Sequence, residues 1–142
     1  VMGGLVGPMN LPEIGVLNVE KRITAEEDSI FKRFPESATV FQWHLNEVQR
    51  LPSEAIHLIS SSSCKFQAFR IGRLVYGLQF HVEVTPDMVR GTVDYPEYVI
   101  ALESQKGHGA LDKLVLDTEL QYAELDQSAS LIYDGFVHLA KT

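Results

Sequence analysis

Alternating apolar and polar positions dominate the first half of the chain and predict a β-sheet. β-Branched and aromatic residues recur there at a period of two, which is typical of half-buried strands. Five segments carry this pattern, residues 14–22, 38–51, 55–62, 66–72 and 74–84. Gly72-Arg73 separates the last two, and a glycine at that point predicts a hairpin turn.

Helical spacing replaces this alternation after residue 84. Thr85 followed by Pro86 is a typical helix start, with the threonine as N-cap and the proline in the first turn. Gly91 and Pro96 then interrupt the pattern, which predicts two short helices. Residues 111–140 carry apolar residues at helical spacing and predict a long amphipathic helix with at most one break.

Two further segments near the amino end have weaker patterns. Thr24 precedes Glu27 by three residues, the spacing of a capping box, and predicts a short helix that ends before Pro35. The glycines of residues 2–15 match neither a dinucleotide-binding fingerprint nor a P-loop. We therefore interpret residues 2–15 as a turn-rich connector leading into a strand.

Strands come first and helices last, which predicts an α/β or α+β fold with a mixed sheet. The 142 residues, 45% of them hydrophobic, suffice for one globular domain with a core. We expect a single domain over residues 1–142, with a sheet-forming part at about 1–84 and a helical part at about 85–142. The apolar, glycine-rich opening leads us to expect that this domain is incomplete.

Charge and cysteine content exclude several classes of function. A net charge of −7 without a basic patch argues against nucleic acid or an anionic membrane as partner. No apolar run approaches the roughly 18 residues that a membrane helix needs. The single cysteine, Cys64, excludes an intrachain disulfide and favours a reducing, cytoplasmic location.

Cys64 is the obvious candidate nucleophile, but its surroundings do not suit that role. A nucleophile on an α/β fold usually sits at a sharp strand-to-helix turn flanked by small residues. Here Ser62 and Phe66 stand two positions either side, and a strand follows. We expect a structural cysteine. The rival interpretation, a relocated nucleophile, requires Cys64 to approach His81 to within roughly 3–4 Å.

His81 and Glu83 are the candidate catalytic residues. On an extended strand, residues two apart point to the same face, which would place an imidazole beside a carboxylate. A general base and the group that orients it need this arrangement. Spacing alone leaves two alternatives open: unrelated polar residues at a strand end, or a metal site with His44 as third ligand. We expect no resident metal.

Several segments together resemble one family, the class I glutamine amidotransferases. The segments are Gly3-Gly4 with Val6, then Glu13-Ile14-Gly15, and residues 40–85 almost throughout. The fit is closest to members similar to the amidotransferase domain of GMP synthetase, and it covers about residues 3–90. The order and spacing of the segments make the resemblance specific.

The resemblance implies a flavodoxin-like α/β sheet and a Cys-His-Glu triad without a cofactor. Such a triad hydrolyses the side-chain amide of glutamine and delivers ammonia to a synthase domain or subunit. His81 matches the general base and Glu83 its orienting carboxylate. The resemblance also implies a turn whose backbone holds glutamine, formed by Trp43, His44, Leu45 and Asn46.

This sequence departs from the family pattern in three places. By the family's layout, the nucleophile's G-x-C-x-G elbow would precede Val1, and Cys64 falls on a position inside the sheet. The family usually has proline where Val82 stands, and often Gly-Asp at Leu45-Asn46. We expect a C-terminal portion of an amidotransferase that is inactive alone. The alternative is a non-catalytic α/β module that binds a partner or a small ligand.

A domain without its first strands should expose an apolar sheet edge, so we also predict self-association, as a dimer.

Overall fold

The structure, a computed structural model, describes residues 3–141. Val1, Met2 and Thr142, which the single-domain prediction includes, lie outside the described residues. Five strands come first: β1 (Leu5–Lys21), β2 (Ser37–Arg50), β3 (Ala55–Ser60), β4 (Ala68–Ile71) and β5 (Val75–Leu78). Four α-helices follow: α1 (Pro86–Arg90), α2 (Pro96–Lys106), α3 (Ala110–Leu120) and α4 (Tyr122–Ala140). Short 3₁₀ turns lie at Ile23–Ala25, Phe31–Arg33 and Gly91–Asp94.

The strands form one sheet in the order β2-β1-β3-β4-β5. A sheet followed by helices agrees with the predicted order of elements. The prediction had a mixed sheet, whereas every pairing between these strands is antiparallel. Short connections explain this, because a parallel pair needs a crossover of a dozen or more residues. Gly72 has φ of 58°, the left-handed conformation expected for the β4–β5 turn.

The connector predicted over residues 2–15 is wrong, because β1 begins at Leu5. The long β2 strand supplies backbone partners for this segment, with Val6 opposite Val48, and that pairing outweighs the turn propensity of the glycines. The register shifts between Pro8, opposite Asn46, and Glu13. β1 therefore bulges beside the stretch predicted to hold glutamine.

Two other predicted elements differ from the structure. The last strand was predicted over residues 74–84, but β5 ends at Leu78 and His81 makes only an isolated bridge to Phe41 of β2. The capped helix at Thr24 is a 3₁₀ turn instead. The Thr24 hydroxyl donates to the carbonyl of His57 in β3, so it is not available as an N-cap.

The helical predictions are confirmed. The Thr85 hydroxyl accepts a hydrogen bond from the backbone N–H of Met88 at 3.3 Å, and Pro86 opens α1. Gly91 ends α1, and α2 opens at Pro96. The long helical segment breaks once, at Gln121 between α3 and α4. Within residues 3–141, no helix is long and apolar enough to cross a membrane.

Two apolar cores hold the helices to the sheet. The first joins β-strand residues such as Val19 and Leu58 to Phe31 and to Ile132 of α4. The second joins Phe41 of β2 to α1, α2, α3 and α4. Burying a large apolar side chain contributes about 1.5–3 kcal/mol. The second core fixes α1 and α2 against β2 next to His81.

Candidate functional site

The segment after β5 carries His81 across the middle of β2. The backbone N–H of His81 donates to the carbonyl of Phe41 at 2.8 Å. The two rings meet edge to face, with centroids 6.3 Å apart. This backbone bond, rather than a continuous strand, sets the position of the imidazole.

His81 and Glu83 form the pair that their spacing predicted. Nδ1 of His81 lies 2.7 Å from Oε1 of Glu83. Burial raises the pKa of Glu83, but the hydrogen bond from His81 and neighbouring backbone N–H groups outweigh it and lower the pKa overall. The carboxylate is therefore ionised at neutral pH and accepts the Nδ1–H proton. In neutral His81, Nε2 then carries the lone pair that a general base needs.

Val82, which stands where the family usually has proline, supports this geometry directly. Its backbone N–H donates to Oε2 of Glu83 at 3.0 Å. Proline has no backbone N–H and could not make this bond. The departure from the family pattern thus leaves the His–Glu contact in place and gives the carboxylate one more donor.

The pair opens on a cavity of about 410 Å³ between β2 and the first two helices. Aromatic rings form much of its wall: Phe41 and Trp43 stack at 6.4 Å, and Tyr98 of α2 meets Trp43 edge to face. The lining residues are Phe41, Trp43, His81, Glu83, Val84, Met88, Val89, Gly91, Thr92, Tyr95 and Tyr98. A cavity of this size accommodates a small molecule beside the imidazole.

The four residues predicted to hold glutamine do not share one surface. Trp43 lines the cavity together with His81. His44, the next residue on the strand, points to the opposite face, as alternation requires. Leu45 is 44% exposed. The carbonyl of Asn46 accepts a hydrogen bond from Nδ1 of His44 at 2.9 Å.

His44 belongs to a buried polar cluster that the sequence did not predict. Its Nε2 lies 3.2 Å from Glu13 of β1 and 3.0 Å from Oε1 of Gln42. Glu13 also accepts from Ser61 at 2.6 Å and from Gln67. No motif joins these positions, and only the Glu13-Ile14-Gly15 segment of the family resemblance pointed to this place.

The arrangement does not assemble the metal site that spacing left open. His44 is held by Glu13 on the other face of β2, away from the His81–Glu83 pair. Among residues 3–141, no group of three His, Cys, Asp or Glu side chains could hold a metal ion.

Cys64 has the properties of a structural cysteine. Its side chain is fully buried, and Sγ accepts a hydrogen bond from Gln79 at 3.0 Å. Burial, together with the nearby charges of Glu13 and Glu47, raises the pKa of the thiol to about 11. A nucleophile must be a thiolate, so Cys64 is unreactive at neutral pH. The interpretation of Cys64 as a relocated nucleophile is wrong.

Comparison with known proteins decides the family. The family model for class I glutamine amidotransferases matches residues 1–92. The chain belongs to this family. The match includes the His81–Glu83 pair and the stretch from Trp43 to Asn46, as the resemblance of the sequence predicted.

Curated relatives of this amidotransferase include one of the subunits of glutamine-hydrolysing GMP synthase. The chain is 37% identical over 83 residues to that subunit from Pyrococcus abyssi, covering 58% of this chain and 43% of the relative. It is 38% identical over 85 residues to the one from Archaeoglobus fulgidus, covering 59% and 45%. The chain thus spans less than half the length of these relatives.

Solved amidotransferases share its fold. A glutamine amidotransferase from Thermotoga maritima has a TM-score of 0.77 and 29% identity, covering 96% of this chain and 56% of that one. One from Methylobacillus flagellatus, 24% identical, also has a TM-score of 0.77 and shows the fold alone. These neighbours confirm the predicted fold class. Because they cover nearly the whole chain, the C-terminal helices belong to the amidotransferase fold although the family model ends at residue 92.

Proposed function

We propose that this chain supplies the general base and its orienting carboxylate to a glutamine-hydrolysing site. His81 is the base and Glu83 the orienting group. The nucleophilic cysteine comes from a part of the amidotransferase domain outside residues 1–142. The observation that carries the proposal is the 2.7 Å contact between Nδ1 of His81 and Glu83 at the mouth of a 410 Å³ cavity.

The geometry supports the chemistry of a cysteine amidase. Glu83 holds the Nδ1–H tautomer, so Nε2 of His81 takes the proton from the cysteine thiol. The thiolate attacks the side-chain carbonyl carbon of glutamine, and the C–N bond breaks. His81 returns the proton to the departing ammonia. Water then attacks the thioester, with His81 again as base, and releases glutamate.

The route of the ammonia follows from the relatives by analogy. Each of those relatives is one subunit of a glutamine-hydrolysing GMP synthase. We propose that this chain likewise works with a synthase domain or subunit that accepts the ammonia. Glutamine would bind along the stretch from Trp43 to Asn46, where Trp43 reaches the cavity that contains His81.

A second candidate function is binding without catalysis. The cavity wall is largely aromatic, from Phe41, Trp43, Tyr95 and Tyr98. Such a wall suits an apolar ligand better than it suits the charged ends of glutamine. Failure of glutamine hydrolysis, with binding of an apolar probe that quenches the single tryptophan, would favour this alternative.

Self-association remains part of the proposal. Val6 and Leu11 of β1 are 66% and 71% exposed, and an exposed apolar strand favours pairing with a second chain. Sedimentation equilibrium of the purified chain should give a dimer. A concentration-independent monomer mass would contradict this part of the proposal.

The direct test is a chimera. The part of the Thermotoga maritima amidotransferase that this chain does not cover, which by the family's layout carries the nucleophile, is joined to residues 1–142. We expect the chimera to release ammonia from glutamine and the isolated chain to release none. A folded chimera without glutaminase activity would contradict the proposed function.

A further inference from the structure

We propose that Glu13 is a positioning residue that keeps His44 as an imidazolium and thereby fixes the backbone from Trp43 to Asn46. The inference rests on the proposed function, because that stretch is where glutamine would bind. Glu13 touches neither the cavity nor His81, and it acts through His44 from the opposite face of β2.

Glu13 is built into the protein as a buried anion. It is 4% exposed, and its carboxylate accepts hydrogen bonds from three side chains. Ser61 donates to Oε1 at 2.6 Å, Gln67 donates to Oε2, and Nε2 of His44 lies 3.2 Å from Oε2. A buried carboxylate with this many donors is stable as an anion and needs a cation beside it.

The hydrogen-bond partners of His44 require both ring nitrogens to be protonated. Nδ1 lies 2.9 Å from the carbonyl of Asn46, which is an acceptor. Nε2 faces two more acceptors, the Glu13 carboxylate and Oε1 of Gln42. Neutral imidazole has one N–H, so a neutral His44 would place a lone pair against an acceptor oxygen. Only the imidazolium satisfies both sides of the ring.

The charges around His44 agree with this assignment. Burial lowers the pKa of His44, but the bonds to Glu13 and to the Asn46 carbonyl raise it, and the net effect is an increase. The charged groups facing the ring are Glu13 from β1 and Glu47 from β2. The pKa of Glu13 is lowered, because its hydrogen bonds from His44, Ser61 and Gln67 outweigh the effect of burial.

The ion pair controls the backbone that faces the cavity. The Asn46 carbonyl is tied to the His44 ring two residues earlier in the chain, at the place where β1 bulges between Pro8 and Glu13. Trp43, on the other face of the strand, lines the cavity with His81. A neutral His44 loses one of its two anchors, and the stretch from Trp43 to Asn46 is then free to shift.

Ring ¹⁵N NMR of the full chain tests the positioning role directly. At pH 7, both ring nitrogens of His44 should show imidazolium shifts. In Glu13→Gln, His44 should be neutral at the same pH, and the amide signals of residues 43–46 should move. Glu20→Gln, which removes an exposed carboxylate from the same strand, should leave both unchanged.

Titration of the unsubstituted chain keeps the test valid if Glu13→Gln does not fold. Raising the pH until His44 deprotonates should shift the same amide signals of residues 43–46. A neutral His44 at pH 7, or a titration that leaves these amides unmoved, would overturn the proposal.

Kinetics of the chimera separate this inference from the proposed function. Glu13→Gln should raise KM for glutamine about tenfold while kcat stays within about threefold, because substrate positioning is lost and the base is intact. Glu13→Asp, which keeps the charge, should recover part of the loss. If the chimera is inactive but the NMR result holds, the proposed function fails and the positioning role stands. A parallel fall in kcat with unchanged KM would contradict positioning of the substrate.

Discussion

The protein contains two histidine–carboxylate pairs that differ in burial and in purpose. In the His44–Glu13 pair the side chains are 13% and 4% exposed, and in the His81–Glu83 pair they are 39% and 59% exposed. Both ring nitrogens of His44 are committed to protein acceptors. His81 gives only Nδ1 to its carboxylate and lies beside an open cavity.

The same two residue types thus become a structural ion pair or a proton-transfer pair according to their remaining partners. A buried pair with every proton committed cannot exchange one without losing hydrogen bonds. A half-exposed pair with one ring nitrogen facing a cavity can. Exposure and partner count therefore distinguish the candidate base from the other histidine, where spacing in the sequence did not.

The largest effect should come from removing the base itself. In the chimera, His81→Asn should lower glutaminase activity by about 10³-fold or more, because both proton transfers lose their carrier. Ammonia release from glutamine measures this. His108→Asn is the matched control, since His108 is an exposed histidine in the loop before α3 and should leave the rate unchanged. Equal rates in the two variants would refute the role of His81.

Removal of each carboxylate should affect stability very differently. Glu13→Ala leaves a buried imidazolium without its partner and should cost about 3–5 kcal/mol in the free energy of unfolding. Glu83→Ala breaks a half-exposed pair and should cost about 1 kcal/mol or less. Urea unfolding followed by the fluorescence of Trp43 compares the two. Similar losses in both variants would show that the pairs do not differ as described.

The pH dependence of stability should show the buried pair. The pKa of His44 is raised from 6.5 in the folded protein, so its stabilisation is fully present below 6.5 and is lost as pH rises through the folded-state pKa. The pKa of Glu13 is lowered from 4.5, so its stabilisation is present above 4.5 and is lost as pH falls through the folded value.

Stability from this pair is therefore greatest between the lowered pKa of Glu13 and the raised pKa of His44. In urea unfolding at a series of pH values, Glu13→Gln should flatten the decline on the alkaline side, and Glu83→Gln should not. An unchanged alkaline decline in Glu13→Gln would assign it to other groups.

The smallest effect concerns Val82. Val82→Pro restores the residue usual in the family but removes the N–H that donates to Glu83. A hydrogen bond to a charged group contributes about 1.5–3 kcal/mol, and the rigid proline offsets part of its loss. We expect kcat of the chimera to change by about fivefold or less. A loss as large as that of His81→Asn would show that the Val82 N–H is essential to the pair.

Sequence periodicity predicted the elements whose signals are local. Thr85 and Pro86 opened a helix as expected, and Gly91 and Pro96 broke the following segment. Such signals depend on a residue's own hydrogen bonds and dihedral angles, so they survive in any fold. The His81–Glu83 contact was predicted for a similar reason, because the two residues are only two positions apart.

Elements that depend on distant partners could not be predicted in this way. β1 extends back to Leu5 because β2 offers it a partner along that length, and β5 stops at Leu78 although its apolar pattern continues. Glu13 finds His44 only through the pairing of β1 with β2. No local pattern records such contacts, and tertiary pairing overrides propensity.

Labelling with the glutamine analogue diazo-oxo-norleucine, followed by intact mass and peptide mapping, tests the role of His81 most directly. We predict no adduct on the isolated, folded chain. We predict one adduct on the chimera, at the cysteine outside residues 1–142, and loss of that adduct in His81→Asn. Modification of Cys64, or labelling of the chimera that does not depend on His81, would contradict the claim that His81 activates a nucleophile supplied from outside this chain.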